Sequence, residues 1–124
     1  NEADHLVPRT LEALRKVGAP SFLTVLKRFG PSNRAPLSFP IPGWTLAVDM
    51  PSAVPGLLEM LDQLDEEVAA AKGRLYLAKD SRQASGFIDK TYSGFKEWRI
   101  FAKRLNPNQA ISSDLQIRCH EDMK

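Results

Sequence analysis

Hydrophobic residues recur along the chain with two different periods, and these periods separate the predicted helices from the predicted strands. The clearest helix follows Pro55, where one apolar stripe repeats at spacings of three and four residues. Its members are Leu57, Leu61, Leu64, Val68 and Ala71, with Ser52 as the predicted cap and Gly73 as the predicted end. Similar patterns predict helices over residues 8–17, 83–92 and 95–105 and a final helical turn over residues 113–119.

Alternating, β-rich segments predict three strands, over residues 21–29, 44–50 and 74–78. Residues 30–43 hold four of the nine prolines, which predicts an extended, ordered loop and argues against a central strand. The resulting order of elements, α-β-β-α-β-α-α, is typical of an α+β fold with an antiparallel or mixed sheet and helices packed on one face. We expect the long helix to bury its stripe against strand residues Leu46, Val48, Leu75 and Leu77.

Strand alternation gives this predicted sheet two chemically different faces. One face is apolar and takes Phe22 and Leu26 from the first strand. The other face is mixed and comprises Leu23, Lys27, Phe29, Thr45, Asp49, Arg74 and Tyr76. Aromatic, charged and hydroxyl groups together are typical of a surface that lines a ligand, although many antiparallel sheets simply have one solvated face. Asp49 is interpreted as a partner that holds a basic residue.

Composition indicates one soluble globular domain over residues 1–124, because 43% of the residues are hydrophobic and 26% charged. No apolar run approaches the roughly 20 residues of a transmembrane helix. Seventeen bases against fifteen acids give too small a surplus to indicate nucleic acid. The chain starts with Asn1 and not with methionine, which favours a processed chain or an excised fragment.

Standard catalytic and metal-binding motifs are absent from the sequence. Its glycines do not form a phosphate-binding loop, and neither His5 nor His120 lies in a catalytic arrangement. A metal site is not expected with two histidines near opposite ends and Cys119 as the single cysteine. Cys119 itself is interpreted as incidental.

Several segments in combination resemble the vanillyl-alcohol-oxidase type of FAD-linked oxidoreductases, over residues 21–118. The first is the run from Lys27 to Pro31, followed by the proline-rich segment from Ala35 to Trp44. The others are Gly73-Arg74-Leu75-Tyr76, Ala78-Lys79-Asp80-Ser81-Arg82, Glu97-Trp98 and Ser113-Asp114. The proline-rich loop and the Lys-Asp-Ser-Arg segment are specific only in combination.

The resemblance implies the C-terminal substrate or cap domain of a larger flavoenzyme, whose upstream domain holds most of the FAD. It implies that Lys79 and Tyr76 lie at the flavin and the reacting hydroxyl of a sugar or sugar-lipid substrate, as catalytic and cofactor-binding residues. The implied substrate pocket is lined by Leu23, Lys27, Phe29, Thr45 and Ala47. The 124-residue chain alone is then expected to be inactive and not to retain FAD, and the whole protein to be cytoplasmic or peripheral to the membrane.

Two other functions stay open at this point. The chain is alternatively a free-standing α+β module that binds a ligand or a protein. A nucleic-acid-binding domain is suggested by the basic stretch from Arg74 to Arg104 with its interleaved aromatic residues. These aromatics also fit a helical core, and no RNA-binding aromatic motif is present. Lys79 likewise has a structural interpretation, as a surface lysine paired with Asp80 or Asp49.

Overall fold

The computed structural model describes residues 2–79 and 81–119, so Asp80 and His120 lie outside the described residues. Its elements are α1 (Glu2–Val17), β1 (Leu23–Phe29), β2 (Gly43–Asp49), α2 (Leu57–Ala70), a 3-10 turn (Leu77–Lys79), α3 (Phe87–Thr91), α4 (Phe95–Leu105) and α5 (Asp114–Cys119). This mixture of helices with an antiparallel pair of strands confirms the predicted α+β class. None of the described helices is long and apolar enough to cross a membrane.

The described chain divides into two compact units. The first contains residues up to 32 and residues 40–73, and the second contains residues 33–39 and the chain from residue 74 onwards. The elements α1, β1, β2 and α2 therefore belong to the first unit. That residues 1–124 form a single domain of a larger chain stays a prediction.

Helix α1 begins six residues earlier than predicted and carries Pro8 in its interior. Glu2 and Asp4 in the first turn and Arg15 and Lys16 in the last complement the helix dipole. The helix ends at Gly18, whose φ of 71° is readily adopted by glycine. Its closing bonds, from Ala19 N to Leu14 O and from Gly18 N to Arg15 O, form a Schellman motif.

Strands β1 and β2 pair in antiparallel fashion, with Leu23 opposite Asp49 and Phe29 opposite Gly43. Residues directly opposite each other in an antiparallel pair lie on the same face. The register therefore joins the odd-numbered residues of both strands on one face and the even-numbered residues on the other. This confirms the predicted division of the first two strands into faces.

Helix α2 keeps the predicted apolar stripe but not the predicted cap or packing partner. Gly56 caps it in place of Ser52, with a φ of 74°. Leu57 and Leu64 are buried and Leu61 is half-buried, but the helix packs against α1 and not against the apolar sheet face. The partner surface is provided by α1, whose buried residues, Ala13 and Leu14, lie within the predicted helical segment 8–17.

The predicted third strand is wrong. The segment from Arg74 to Tyr76 pairs with no described strand, and Leu77–Lys79 forms one 3-10 turn. The Leu75 carbonyl oxygen accepts a hydrogen bond from a side chain and not from a neighbouring strand. Its donor is the Tyr92 hydroxyl, at 2.6 Å. The second unit therefore contains no strand among its described residues.

The core of the second unit is formed by Ile88, Tyr92 and Phe95, all buried. Packed against it are the partly buried residues Leu37, Leu77, Trp98 and Leu115. Leu77 was expected beneath α2, and its position in this cluster corrects that expectation. The predicted separation of the helices over 83–92 and 95–105 is confirmed, and a Cβ on Gly94 would clash with the carbonyl oxygen of Pro36.

The second unit is expected to lose stability at alkaline pH because it buries Tyr92. Burial raises the pKa of Tyr92 to about 12, against the opposing effect of the Arg74 cation. Since the unfolded chain then loses its phenolic proton first, the free energy of unfolding is undiminished below about pH 10 and falls between about pH 10 and 12. We expect a loss of about 1–2 kcal/mol, measured by urea unfolding at pH 9 and pH 11.5.

The matched control for this titration is Tyr92→Phe. The variant is expected to be less stable at pH 9, because the Leu75 carbonyl loses its donor. Its further loss between pH 9 and pH 11.5 should be smaller than that of the unaltered protein. Equal alkaline losses in both proteins would contradict the assignment to Tyr92.

Candidate functional site

The odd-numbered face of the β1–β2 hairpin, here called the Lys27 face, brings together all five residues predicted to line a substrate pocket. It carries Leu23, Val25, Lys27, Phe29, Thr45, Ala47 and Asp49. Leu23, Lys27 and Ala47 are exposed, whereas Phe29 and Thr45 are half-buried. Val25 was not among the predicted residues, although its odd position in β1 gives it the same parity as Lys27. Val25 is half-buried and lies opposite Ala47.

Lys27 and Thr45 are the polar centre of the Lys27 face. They are directly opposite each other in the register, so their Cβ atoms are expected to lie about 4.5–5.5 Å apart. An ammonium and a hydroxyl at this spacing can donate hydrogen bonds to neighbouring oxygens of one ligand. Among the described residues of the first unit, no carboxylate pairs with Lys27. Its exposed ammonium group is therefore not neutralised within this unit and can bind a ligand.

The expectation that Asp49 holds a basic residue is not met within the first unit. Asp49 lies opposite Leu23, four residues along β2 from Thr45, which corresponds to about 13 Å at the usual rise per residue. No described base of this unit forms an ion pair with it. Lys27 and Asp49 are thus separate charges on one face, too far apart to neutralise each other.

The even-numbered face of the hairpin has different chemistry. Arg28 lies opposite Trp44, and its guanidinium carbon is 5.8 Å from the centre of the indole ring. Leu46 and Val48, on the same face, are half-buried. Trp44 is still 44% exposed, so its indole ring is only partly covered within the first unit. The two adjacent cations Lys27 and Arg28 therefore lie on opposite faces.

Tyr76 and Lys79 lie at the 3-10 turn of the second unit. The Lys79 amide donates to the Tyr76 carbonyl oxygen at 3.2 Å, which closes the turn. Tyr76 thus directly precedes the turn, and Lys79 is its last residue. The ring of Tyr76 is half-exposed and lies 5.0 Å from the ring of Phe39, a neighbour that the sequence analysis missed.

Lys79 is an exposed cation whose ammonium forms no ion pair with the described residues of the second unit. Asp80, one of its two predicted structural partners, is outside the described residues, and Asp49 belongs to the first unit. The turn thus presents one phenol and one ammonium together. These groups can bind an anionic or hydroxyl-bearing ligand.

Arg74 was expected on the mixed sheet face beside Tyr76, and the structure corrects this. Its guanidinium contacts the second unit's own backbone carbonyls and lies over the Tyr92 ring, 5.0 Å from the ring centre. Its side chain is therefore engaged inside the unit. The interleaved aromatics Phe87, Tyr92 and Phe95 are buried as well, so these rings are not available to stack on nucleic-acid bases.

A cleft of about 300 Å³ lies elsewhere in the first unit, between α1 and α2. It contains none of the predicted site residues, and its lining is formed by Arg9, Ala13, Lys16, Val17, Met60, Gln63, Leu64 and Glu67. Arg9 and Glu67 bridge it with an ion pair of 2.9 Å. Across the described residues, no group of three metal-ligating side chains comes together.

Comparison with known proteins relates most of the chain to part of an oxidase. The particular protein is decaprenylphosphoryl-beta-D-ribose oxidase of Mycolicibacterium smegmatis, to which the chain is 43% identical over 105 residues. The match covers 85% of this chain and 23% of that oxidase. The resemblance expected from the proline-rich loop and the Lys-Asp-Ser-Arg segment is thereby confirmed.

A second relative is a Streptomyces coelicolor protein described as an uncharacterized protein in the mprA 5' region. It is 40% identical over 114 residues, which make up 92% of this chain and 30% of the relative. The chain thus spans less than a third of the length of either relative. No protein-family model matches it.

Proposed function

We propose that this chain is the C-terminal, substrate-binding part of an FAD-dependent oxidoreductase that oxidises a sugar-type hydroxyl. The observation that carries the proposal is the 43% identity, over 85% of the chain, to part of an oxidase whose name specifies a sugar attached to a prenyl phosphate. The Lys27 face supports it, because a surface of mixed apolar, cationic and hydroxyl groups suits a polar sugar with an apolar attachment. An upstream domain of the same protein would hold most of the cofactor.

The residues at the 3-10 turn fit the chemistry of a flavin. Lys79 offers an ammonium that no described carboxylate of its unit neutralises, which would suit a cofactor that gains negative charge on reduction. Tyr76 offers a half-exposed phenol directly before the turn. We therefore assign Lys79 and Tyr76 to the flavin and the reacting hydroxyl. FAD, when bound, supplies the acceptor for the hydride that leaves the substrate carbon.

The two catalytic side chains have different tasks in this proposal. Tyr76 hydrogen-bonds the substrate hydroxyl and fixes the direction in which its oxygen points. Lys79 donates a charge-assisted hydrogen bond that stabilises negative charge developing during oxidation. As the hydride leaves the substrate carbon, the hydroxyl proton is released to water, so a carbonyl group forms and one proton leaves the site.

The Lys27 face is assigned to the parts of the substrate that do not react. Lys27 and Thr45 donate hydrogen bonds to sugar or phosphate oxygens, and a cation is well suited to an anionic phosphate. Leu23, Phe29 and Ala47 provide the apolar contacts. Because binding of remote groups orients the reacting one, this face contributes both to affinity and to turnover.

Replacing Lys27 tests the face directly. In the full-length protein, Lys27→Met should raise KM for decaprenylphosphoryl-β-D-ribose by about tenfold or more, the scale for losing a hydrogen bond to a charged group. Arg28→Met is the matched control, because Arg28 is the adjacent cation on the opposite face. We expect it to change KM by less than about twofold.

Steady-state oxidation assays on both variants at several salt concentrations distinguish the two faces. Equal increases of KM for Lys27→Met and Arg28→Met would indicate a general effect of surface charge and would contradict the assignment of the substrate to the Lys27 face. Absence of flavin from the full-length protein would contradict the proposed function as a whole.

A further inference from the structure

We infer that Arg74 is a positioning residue that sets the orientation of Tyr76. This inference rests on the proposed role of Tyr76 at the reacting hydroxyl. Arg74 does not reach outward as a ligand-binding cation would. It joins its own segment to the proline-rich segment and to the end of α3, and both of these determine where the Tyr76 ring lies.

The contacts of Arg74 are made by different parts of its guanidinium group. Nε donates to the Thr91 carbonyl oxygen at 3.0 Å, and one terminal nitrogen donates to the Ser38 carbonyl oxygen at 2.5 Å. The guanidinium carbon lies 5.0 Å from the centre of the Tyr92 ring. Two hydrogen bonds in diverging directions and a stacked ring fix a planar group in one orientation. The side chain therefore links the end of α3 to the proline-rich segment.

The proline-rich segment leads directly to Tyr76. Ser38 is 7% exposed, and the next residue, Phe39, places its ring 5.0 Å from the ring of Tyr76 at an angle of 49°. Arg74 thus holds the backbone that carries the neighbour of the Tyr76 ring. Without the bond to Ser38, this segment would lose its hydrogen-bonded link to the end of α3 and would be held there by the packing of Leu37 against the core.

The second connection runs through the backbone of Tyr76 itself. The Tyr92 hydroxyl donates to the Leu75 carbonyl oxygen, which belongs to the peptide unit joining Leu75 to Tyr76. The ring of the same Tyr92 lies beneath Arg74. The paired side chains of Arg74 and Tyr92 therefore fix the Tyr76 backbone on one side and its ring neighbour on the other.

A lysine at this position would keep the positive charge and lose the geometry. Its single ammonium cannot reproduce the fixed fork that reaches two carbonyl oxygens while stacking on a ring. Arg74→Lys consequently separates the positioning effect from the effect of charge. Phe39→Leu is the second variant, because it removes the ring contact with Tyr76 and leaves every described bond of Arg74 in place.

The experiment measures turnover in the full-length protein with decaprenylphosphoryl-β-D-ribose as substrate, for Arg74→Lys, Phe39→Leu, Tyr76→Phe and the two double variants with Tyr76→Phe. We expect Arg74→Lys and Phe39→Leu each to lower kcat about tenfold, since small misplacements of reacting groups have effects of this order or larger. KM should change by less than about twofold. Hydrogen exchange of residues 33–39 should accelerate in Arg74→Lys and not in Tyr76→Phe.

The double variants decide whether Arg74 acts through Tyr76. Once the phenol is gone, Arg74→Lys should lower kcat by less than about twofold more, because there is no hydroxyl left to orient. Effects that multiply in both double variants would overturn the inference and leave the proposed function standing. An unchanged kcat in Tyr76→Phe alone would overturn the proposed role of Tyr76, and the inference with it. Should Arg74→Lys fail to fold, Phe39→Leu still tests the ring contact through which Arg74 is proposed to act. An unchanged kcat in Phe39→Leu, or a loss that multiplies with that of Tyr76→Phe, would then overturn the inference.

Discussion

Replacing Lys79 with alanine in the full-length protein is expected to slow reduction of the flavin by substrate roughly 10²-fold or more. This is the scale for removing one preorganised group that stabilises developing charge. The side chain is exposed and forms no ion pair with the described residues of its unit, so its loss should change stability little. Rapid mixing with decaprenylphosphoryl-β-D-ribose, followed by flavin absorbance, measures the rate.

The matched control for Lys79 is Lys103→Ala, which removes another exposed lysine of the same unit, on α4. Its flavin reduction rate should equal that of the unaltered protein, and thermal unfolding should show both variants folded. If Lys79→Ala reduces its flavin at the unaltered rate, the stabilising charge lies elsewhere. Tyr76 and Lys27 would then be the next residues to replace.

The sequence was sufficient to predict the face that carries the candidate substrate residues, because parity within a strand is a local property. Leu23, Lys27 and Phe29 share odd positions, and antiparallel pairing then brings Thr45 and Ala47 to the same face. The pairing register decides which residues of the two strands share a face, and the contrast between mixed and apolar positions indicated it. The same parity would have added Val25, had every odd position been taken.

The third predicted strand fails because the residue pattern alone does not show what pairs with a backbone. Leu75 and Leu77 alternate with polar residues as a half-buried strand would. In the fold, however, the Leu75 carbonyl is bonded by the hydroxyl of Tyr92, seventeen residues away. Such a long-range side-chain bond replaces a strand ladder and leaves no trace in the local pattern.

Arg74 illustrates the same limit at the candidate site. Its position two residues before Tyr76 predicts a shared face only if the segment is a strand. The actual contacts of Arg74, to the carbonyls of Ser38 and Thr91, depend on tertiary structure that brings the proline-rich segment and the end of α3 together. Periodicity predicts which helices exist, but the partners of a cation in the core have to be observed.

The packing of α2 shows that a helix can be predicted correctly while its packing partner is predicted wrongly. Its stripe is real, since Leu57 and Leu64 are buried. The residues of α1 that line the cleft with α2 already lie in the predicted helix over residues 8–17, but the local pattern does not show that this helix, and not the sheet, packs against the stripe. The cleft lined by residues of α1 and α2, bridged by Arg9 and Glu67, shows that the two helices pack side by side.

This packing predicts a large loss of stability when Leu64 is replaced with alanine. Leu64 is 5% exposed on the side of α2 that lines the cleft with α1, so truncation leaves a cavity as well as removing apolar contacts. We expect the free energy of unfolding to fall by about 2–5 kcal/mol, the usual cost of truncating a buried leucine. Leu58→Ala is the matched control, because Leu58 is 57% exposed on the same helix and should cost about 0.5 kcal/mol or less.

Urea unfolding of the 124-residue chain can be followed separately in each unit, because the chain has two tryptophans and one lies in each. With Trp98 replaced by phenylalanine, the fluorescence of Trp44 reports on the first unit, which contains α2. The midpoint of that transition should move to lower urea for Leu64→Ala and stay close to its original value for Leu58→Ala. Equal shifts for both leucines would mean that α2 does not bury the side of the helix that carries Leu64, and would contradict its packing against α1.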